Sequence, residues 1–210
     1  MQPEFWKARW SEGKIGFHEG APNTFLTRHA ARIADRRRIL VPLCGKTEDL
    51  AFLAAHDHEV IGIELVEDAV KAFFAEHGTT PTVTRRGPIA SYVAGAITIF
   101  AGDLFAVTEA DVGAIDAIYD RAALVALPAD LRKKYVTHLQ HLVPARTKSL
   151  LVSLEYPQDK FEGPPFSVVE AEVRTLFATA ELIDERLAVG GRLADANIGA
   201  IERLYVAAVP

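Results

Sequence analysis

The chain has 210 residues, 50% hydrophobic and 24% charged, enough for one domain with a central sheet covered on both faces. A formal net charge of −5, with no basic run beyond Arg36-Arg37-Arg38, argues against a nucleic-acid partner, and no apolar stretch approaches the ~18 residues of a membrane span. A single cysteine rules out an intrachain disulfide and suits a reducing cytoplasm; no signal peptide is expected.

Residues 1–37 read as a helical N-terminal region with a glycine-rich break between Gly13 and Gly20. Both tryptophans, Trp6 and Trp10, lie there four residues apart, on one face of any helix that holds them. Apolar runs then predict strands near 38–43, 59–64, 97–101, 115–119, 148–154, 181–187 and 201–207, and helical spacing predicts helices near 46–56, 66–77, 128–142 and 167–178. Thr79 to Gly95 has no clear assignment beyond a hairpin or an excursion. Alternating strands and helices give an α/β fold with a mostly parallel, doubly wound sheet of seven strands and helices on both faces. The last two predicted strands have no helix between them, so one antiparallel strand is expected at that end.

The segment Arg38 to Val66 is the most informative. Ile39-Leu40-Val41 is a buried strand, Pro42 and Gly45 break it, and Leu50, Leu53 and Ala54 mark the helix that follows. Val60 to Ile63 form the next strand, which Glu64 closes. In a parallel sheet Gly45 and Glu64 lie side by side at the carboxyl edge, where open α/β folds bind ligands. A carboxylate there accepts both hydroxyls of a ribose, and a glycine turn lets the ligand approach the backbone. A dinucleotide needs G-x-G-x-x-G, and the turn here is Pro42-Leu43-Cys44-Gly45-Lys46-Thr47. A phosphate loop needs a glycine five residues before Gly45, where the chain has Leu40. One glycine, with an acid 19 positions later, suits an adenosyl group without phosphates, and so S-adenosylmethionine. A plain βαβ unit that binds nothing is the alternative at this point.

More of the chain follows a pattern: Trp6, Trp10, Gly13 and Phe17 as W-x3-W-x2-G-x3-F, then PLCGK, a strand ending in Gly62-Ile63-Glu64, Asp120-Arg121-Ala122-Ala123-Leu124, and Gly163-Pro164-Pro165-Phe166. In that order and over nearly the whole length, these resemble the thiopurine S-methyltransferase family, its bacterial members most of all. The resemblance implies a Rossmann-like class I methyltransferase whose residues 1–37 form a lid over a core of 38–210. It implies S-adenosyl-L-methionine as cofactor, with Trp10 covering it, the Leu43 backbone and Gly45 shaping the first turn, Glu64 on the ribose, and Asp103 and Leu104 by the adenine. It places Arg121 close to both cofactor and substrate, as an electrostatic and positioning residue of catalysis, and Phe17 and Arg192 near the acceptor. Arg192 aligns only with a one-residue gap.

In-line displacement at a sulfonium draws much of its rate from positioning, and an acidic thiol needs little help from a base. The resemblance implies small acidic thiols as acceptors, thiopurines first, and, for bacterial members, a role in selenium or tellurium oxyanion detoxification. A monomer with no metal, no membrane and no nucleic-acid partner is expected. An oxygen or nitrogen acceptor, or cofactor binding without catalysis, are the alternatives; an NAD-linked oxidoreductase lacks its glycines. Cys44 reads as a small packed side chain in the turn, and Asp120 as a structural partner of Arg121, with a catalytic role left open. Of the scattered histidines, His18 is the one to test, close to the tryptophans of the expected lid.

Overall fold

The computed structural model describes residues 3–15 and 18–210. In chain order the elements are α1 (Pro3–Ser11), α2 (Thr24–His29), β1 (Arg38–Pro42), α3 (Asp49–Ala55), β2 (Glu59–Glu64), α4 (Glu67–Glu76), β3 (Thr82–Arg86), β4 (Ile89–Ala94) and β5 (Ile97–Ala101). They continue with α5 (Glu109–Val112), β6 (Ala117–Arg121), α6 (Ala123–Ala126), α7 (Ala129–Leu142), β7 (Lys148–Glu155), α8 (Glu170–Leu176), β8 (Glu181–Leu187), α9 (Gly191–Asp195) and β9 (Ile201–Ala208).

The strands form one sheet in the order β3-β4-β5-β2-β1-β6-β7-β9-β8. Its centre, β5-β2-β1-β6-β7, is parallel throughout. These are the short runs of Val, Ile and Leu that a strand buried on both faces needs. Successive side chains go to opposite faces. Ile39 and Val41 join one apolar cluster with Phe25, Leu50, Leu53 and Phe73, whereas Leu40 joins the other with Tyr135, Leu139 and Phe177. Helices α2, α3 and α4 thus cover one face, and α5 to α8 the other.

The sequence predicts seven strands, and the sheet has nine. The two additional strands are the antiparallel hairpin β3–β4, inside the unassigned Thr79–Gly95 segment. Every residue of β3 is exposed, so no buried alternation marks it. The turn is Gly87-Pro88, with Gly87 at φ +57°. The expected antiparallel strand is β9, which lies between β7 and β8 and runs against both. A five-residue helix, α9, does separate β8 from β9, contrary to expectation. It is too short to show a periodicity and opens on Gly190-Gly191. Among the described residues no helix is long and apolar enough to cross a membrane.

Packing under the central turn is tight. A β-carbon placed on Gly62 of β2 would lie 2.8 Å from the Cys44 Sγ and 3.2 Å from Ile99 Cγ1. Gly62→Ala is therefore expected to cost about 1–3 kcal/mol through overpacking. Thermal unfolding should show a drop of several degrees, with partial recovery in Gly62→Ala/Cys44→Ala; a double variant no better than the single would locate the strain elsewhere.

Candidate active site

The carboxyl ends of the parallel strands share one edge of the sheet: Pro42 registers with Ile63, Glu64 with Ala101, and Arg121 with Val152. A cavity of about 360 Å³ opens along this edge. Trp10, Leu43, Gly45, Glu64, Arg121 and Arg192 all line it, as does His18, whose imidazole burial pushes its pKa down, with Lys46 adding to the effect.

The Gly45–Glu64 juxtaposition has a defined geometry. Glu64 Oε2 accepts the Gly45 N–H at 2.8 Å, and Oε1 accepts the Val66 N–H at 2.8 Å. Burial raises its pKa, and the N–H groups of Val66, Gly45 and Leu65 pull the other way. The carboxylate thus braces two loops, and each oxygen keeps acceptor capacity for a ligand. Gly45 sits at φ +56°, and a β-carbon built there would lie 3.4 Å from the Trp10 ring, so the indole of α1 covers the turn. A nucleoside-bearing group fits this set of residues: a buried acid that accepts hydrogen bonds, a glycine that leaves room, and an aromatic ring above. Leu43 at φ +49° and Ala122 at φ +74° are left-handed non-glycine residues at the ends of β1 and β6, and both line the cavity. Strain of this kind concentrates where function fixes the backbone.

Arg121 is 13% exposed and pairs with Glu19, a residue 102 positions away that the sequence did not single out. Burial works against its charge, but Glu19, then Tyr119, Asp49 and Glu202, outweigh it and hold the guanidinium above its ordinary pKa. The second Glu19 oxygen lies 3.3 Å from Asn23 Nδ2, and the Asn23 N–H donates to Asp49 Oδ1 at 2.7 Å. Asn23 and Asp49 are both fully buried, so a polar chain ties the segment ahead of α2 to the floor of the site. Nothing in the local pattern around Asp49 signals its burial; a first-turn acid of a helix is ordinarily solvated.

Asp120 is the neighbour in sequence but not the partner of Arg121. Its Oδ2 accepts from the Tyr135 hydroxyl at 2.7 Å and its Oδ1 from the Leu124 N–H at 3.2 Å, away from the cavity. Burial raises its pKa to about 6, with those donors opposing the shift. The folded carboxyl therefore holds its proton more tightly than the unfolded one, so this group's contribution to stability falls as pH rises from about 4 to about 6. The loss is on the order of 2–3 kcal/mol. In urea unfolding across that range Asp120→Asn should show a flatter profile than the parent chain; parallel profiles would remove Asp120 as the cause.

Asp103 and Leu104 lie at the end of β5 but outside the cavity lining. Asp103 Oδ1 accepts the Phe105 N–H at 3.0 Å and caps the short turn 104–106, and Leu104 is buried in the core. Arg192 lies in α9, donates to the Pro164 carbonyl and stands over Phe161 at 4.6 Å. Cys44 is buried against Gly62, and burial holds its thiol pKa well above the ordinary value. Phe17 lies outside the described residues.

The sequence profile described as thiopurine S-methyltransferase matches residues 1–189. A thiopurine S-methyltransferase of Pseudomonas paraeruginosa (strain DSM 24068 / PA7) is 47% identical over 187 residues, covering 88% of this chain and 86% of its own. One from Pseudomonas syringae pv. tomato is 48% identical over 170 residues, covering 80% and 77%. In fold the chain is similar to a 1,6-didemethyltoxoflavin-N1-methyltransferase of Burkholderia thailandensis solved with S-adenosylhomocysteine, at a TM-score of 0.65 and 14% identity, covering 98% of this chain and 86% of that one. Profile, relatives and sheet agree, and the chain belongs to the thiopurine S-methyltransferase family of S-adenosyl-L-methionine-dependent methyltransferases.

Proposed function

We propose that the chain methylates small acidic thiols, thiopurines and aromatic thiols among them, on sulfur. The supporting observation is that one cavity holds the Glu64–Gly45 cradle on one side and Arg121 on the other, beside an apolar wall of Val125, Leu154, Pro164 and Pro165. When bound, the donor supplies an electrophilic methyl group on a sulfonium. The residues of the chain do the rest. Glu64 accepts from the ribose hydroxyls, and the Leu43–Gly45 turn leaves the space the nucleoside needs. Trp10 lies as a flat ring over the turn, where a cation–π contact with a sulfonium is favourable. Arg121, whose charge does not titrate, positions the acceptor sulfur. Asp103, Leu104 and Phe17 keep the adenine and acceptor roles that the family pattern implies. The lone, buried cysteine suits a cytoplasmic setting.

The test is transfer of labelled methyl from S-adenosylmethionine to 6-mercaptopurine, with the oxygen analogue and selenite in parallel. A labelled thioether that needs both the sulfur and Glu64 is expected. No transfer to the thiopurine, with S-adenosylhomocysteine still bound by calorimetry, would discard this acceptor class. Labelled selenium product would add the oxyanion role, and its absence would remove it.

A further inference from the structure

A cavity that receives only thiolates gains nothing from a carboxylate on its wall, because the two repel. Yet Glu19 lines the cavity beside Arg121. One Glu19 oxygen accepts from Arg121 Nη2, and the other lies 3.3 Å from Asn23 Nδ2. These contacts fix the side chain without using it up: a carboxylate has about four acceptor positions, and this one is 40% exposed. A guanidinium has several N–H donors, so Arg121 can serve Glu19 and an acceptor sulfur together.

The pair has a defined place along the sheet. Arg121 ends β6, which lies between β1, whose end turns into the Gly45 cradle, and β7, whose Val152 and Leu154 line the apolar side. Donor cradle and apolar wall meet at this point, and a cation and a carboxylate stand there side by side. A donor next to an acceptor is the complement of a thioamide, in which a C=S sulfur and an N–H are carried by the same carbon. A thiolate offers the sulfur alone.

We propose that Glu19 is a further catalytic and specificity-determining residue. It accepts the ring N–H of a heterocyclic thioamide whose sulfur faces Arg121, and it takes up the proton that methylation releases. The inference rests on the thiol reading above and narrows it to the neutral thione form of the acceptor. A lone pair of the acceptor sulfur forms the new sulfur–methyl bond as the bond from that methyl to the sulfonium breaks, its electrons staying with the leaving sulfur. The C=S π pair moves onto the acceptor sulfur, and the nitrogen lone pair closes the ring C=N bond. The N–H pair stays on nitrogen as the proton passes to a Glu19 oxygen and then to water. Methylation of the sulfur makes the ring N–H strongly acidic, so an ion-paired carboxylate within hydrogen-bond reach is base enough at that moment.

The test compares 2-thiopyridone, with its N–H beside the sulfur, and 4-thiopyridone, with its N–H across the ring, against thiophenol. The two isomers have the same atoms and the same size. On the parent protein holding S-adenosylhomocysteine, calorimetry should find the 2-isomer bound about tenfold or more tighter, and kcat/KM should favour it at least as strongly. Glu19→Ala should remove most of the binding difference. Glu19→Gln, whose amide oxygen still accepts but takes no proton, should keep part of that difference and lower kcat for the 2-isomer by about tenfold or more. Glu19→Asp should restore part of the loss. A Glu19 that only holds Arg121 in place would instead weaken all three acceptors alike and leave their ratios as in the parent. That outcome, or equal binding and use of the two isomers by the parent protein, would overturn the proposal while leaving thiol methylation standing; the parent comparison depends on no variant that must fold. If none of the three acceptors is methylated, the thiol reading itself fails, and the role of Glu19 with it.

Discussion

Replacing Glu64 with alanine is expected to raise the dissociation constant for S-adenosylhomocysteine by about a hundredfold or more. In the proposed ribose contact two hydroxyl donors lose a charged acceptor, each contact worth about 1.5–3 kcal/mol. The same change leaves the Gly45 and Val66 N–H groups without the carboxylate that now binds them at 2.8 Å each. The unliganded protein should therefore also lose about 1–3 kcal/mol. Glu64→Gln is no conservative control, because an amide nitrogen would point its hydrogens at one of those two N–H groups. Asp at this position retains the charge but shortens the reach. Calorimetry with S-adenosylhomocysteine separates the two effects, since binding is read on protein that remains folded. Near-normal affinity in Glu64→Ala would take the ribose role away from this residue.

Arg121→Ala is expected to lower kcat by about 10²–10³-fold, the usual cost of removing one preorganised electrostatic group from a reacting centre. Cofactor affinity should change much less. The ion pair gives this variant a second consequence. Without Arg121, Asp49 keeps its burial but loses the charge that most opposes its raised pKa, and Glu19 loses its partner. Stranding a buried carboxylate in this way costs about 3–5 kcal/mol where it stays charged, and protonation relieves it. Arg121→Ala should accordingly be less stable at pH 8 than at pH 5, relative to the parent chain. Adding Glu19→Gln should return part of the stability and none of the turnover. If turnover recovered along with stability, Arg121 would be a structural cation only. A variant that bound the cofactor and turned over normally would reassign the chemistry to other residues.

Much of this arrangement is legible in the chain, and the parts that are not share a cause. The strand–turn–helix–strand unit from Arg38 to Glu64 is local: the apolar runs, the turn glycine and the closing acid are all read in order, and the register of parallel strands does the rest. The hairpin from Thr82 to Ala94 is missed because its outer strand buries nothing, so periodicity has nothing to mark. The Glu19–Arg121 pair and the Asn23–Asp49 contact join residues 102 and 26 positions apart, and no composition or spacing near any of the four reports the other. Asp120 and Arg121 are adjacent, and alternation along β6 sends one to Tyr135 and the other to the cavity. The period of two already contains that answer. Which of the two faces the ligand depends on helices placed later in the chain.

The position of β9 has a consequence for how the enzyme comes into being. All eight residues of β9 pair with Lys148–Glu155 of β7, and among the described residues β8 pairs with β9 alone. During synthesis, β5, β2, β1, β6 and β7 emerge before residue 201 and need nothing beyond it to pair with one another. In the same interval β8 is complete and has no strand to bond to, and β7 presents an open edge. Such edges are templates for pairing with other chains. Arrival of β9 closes both at once. A nascent chain stalled near residue 200 is therefore the species most exposed to aggregation, and the flank that carries Arg192 is the last part of the sheet to be assembled.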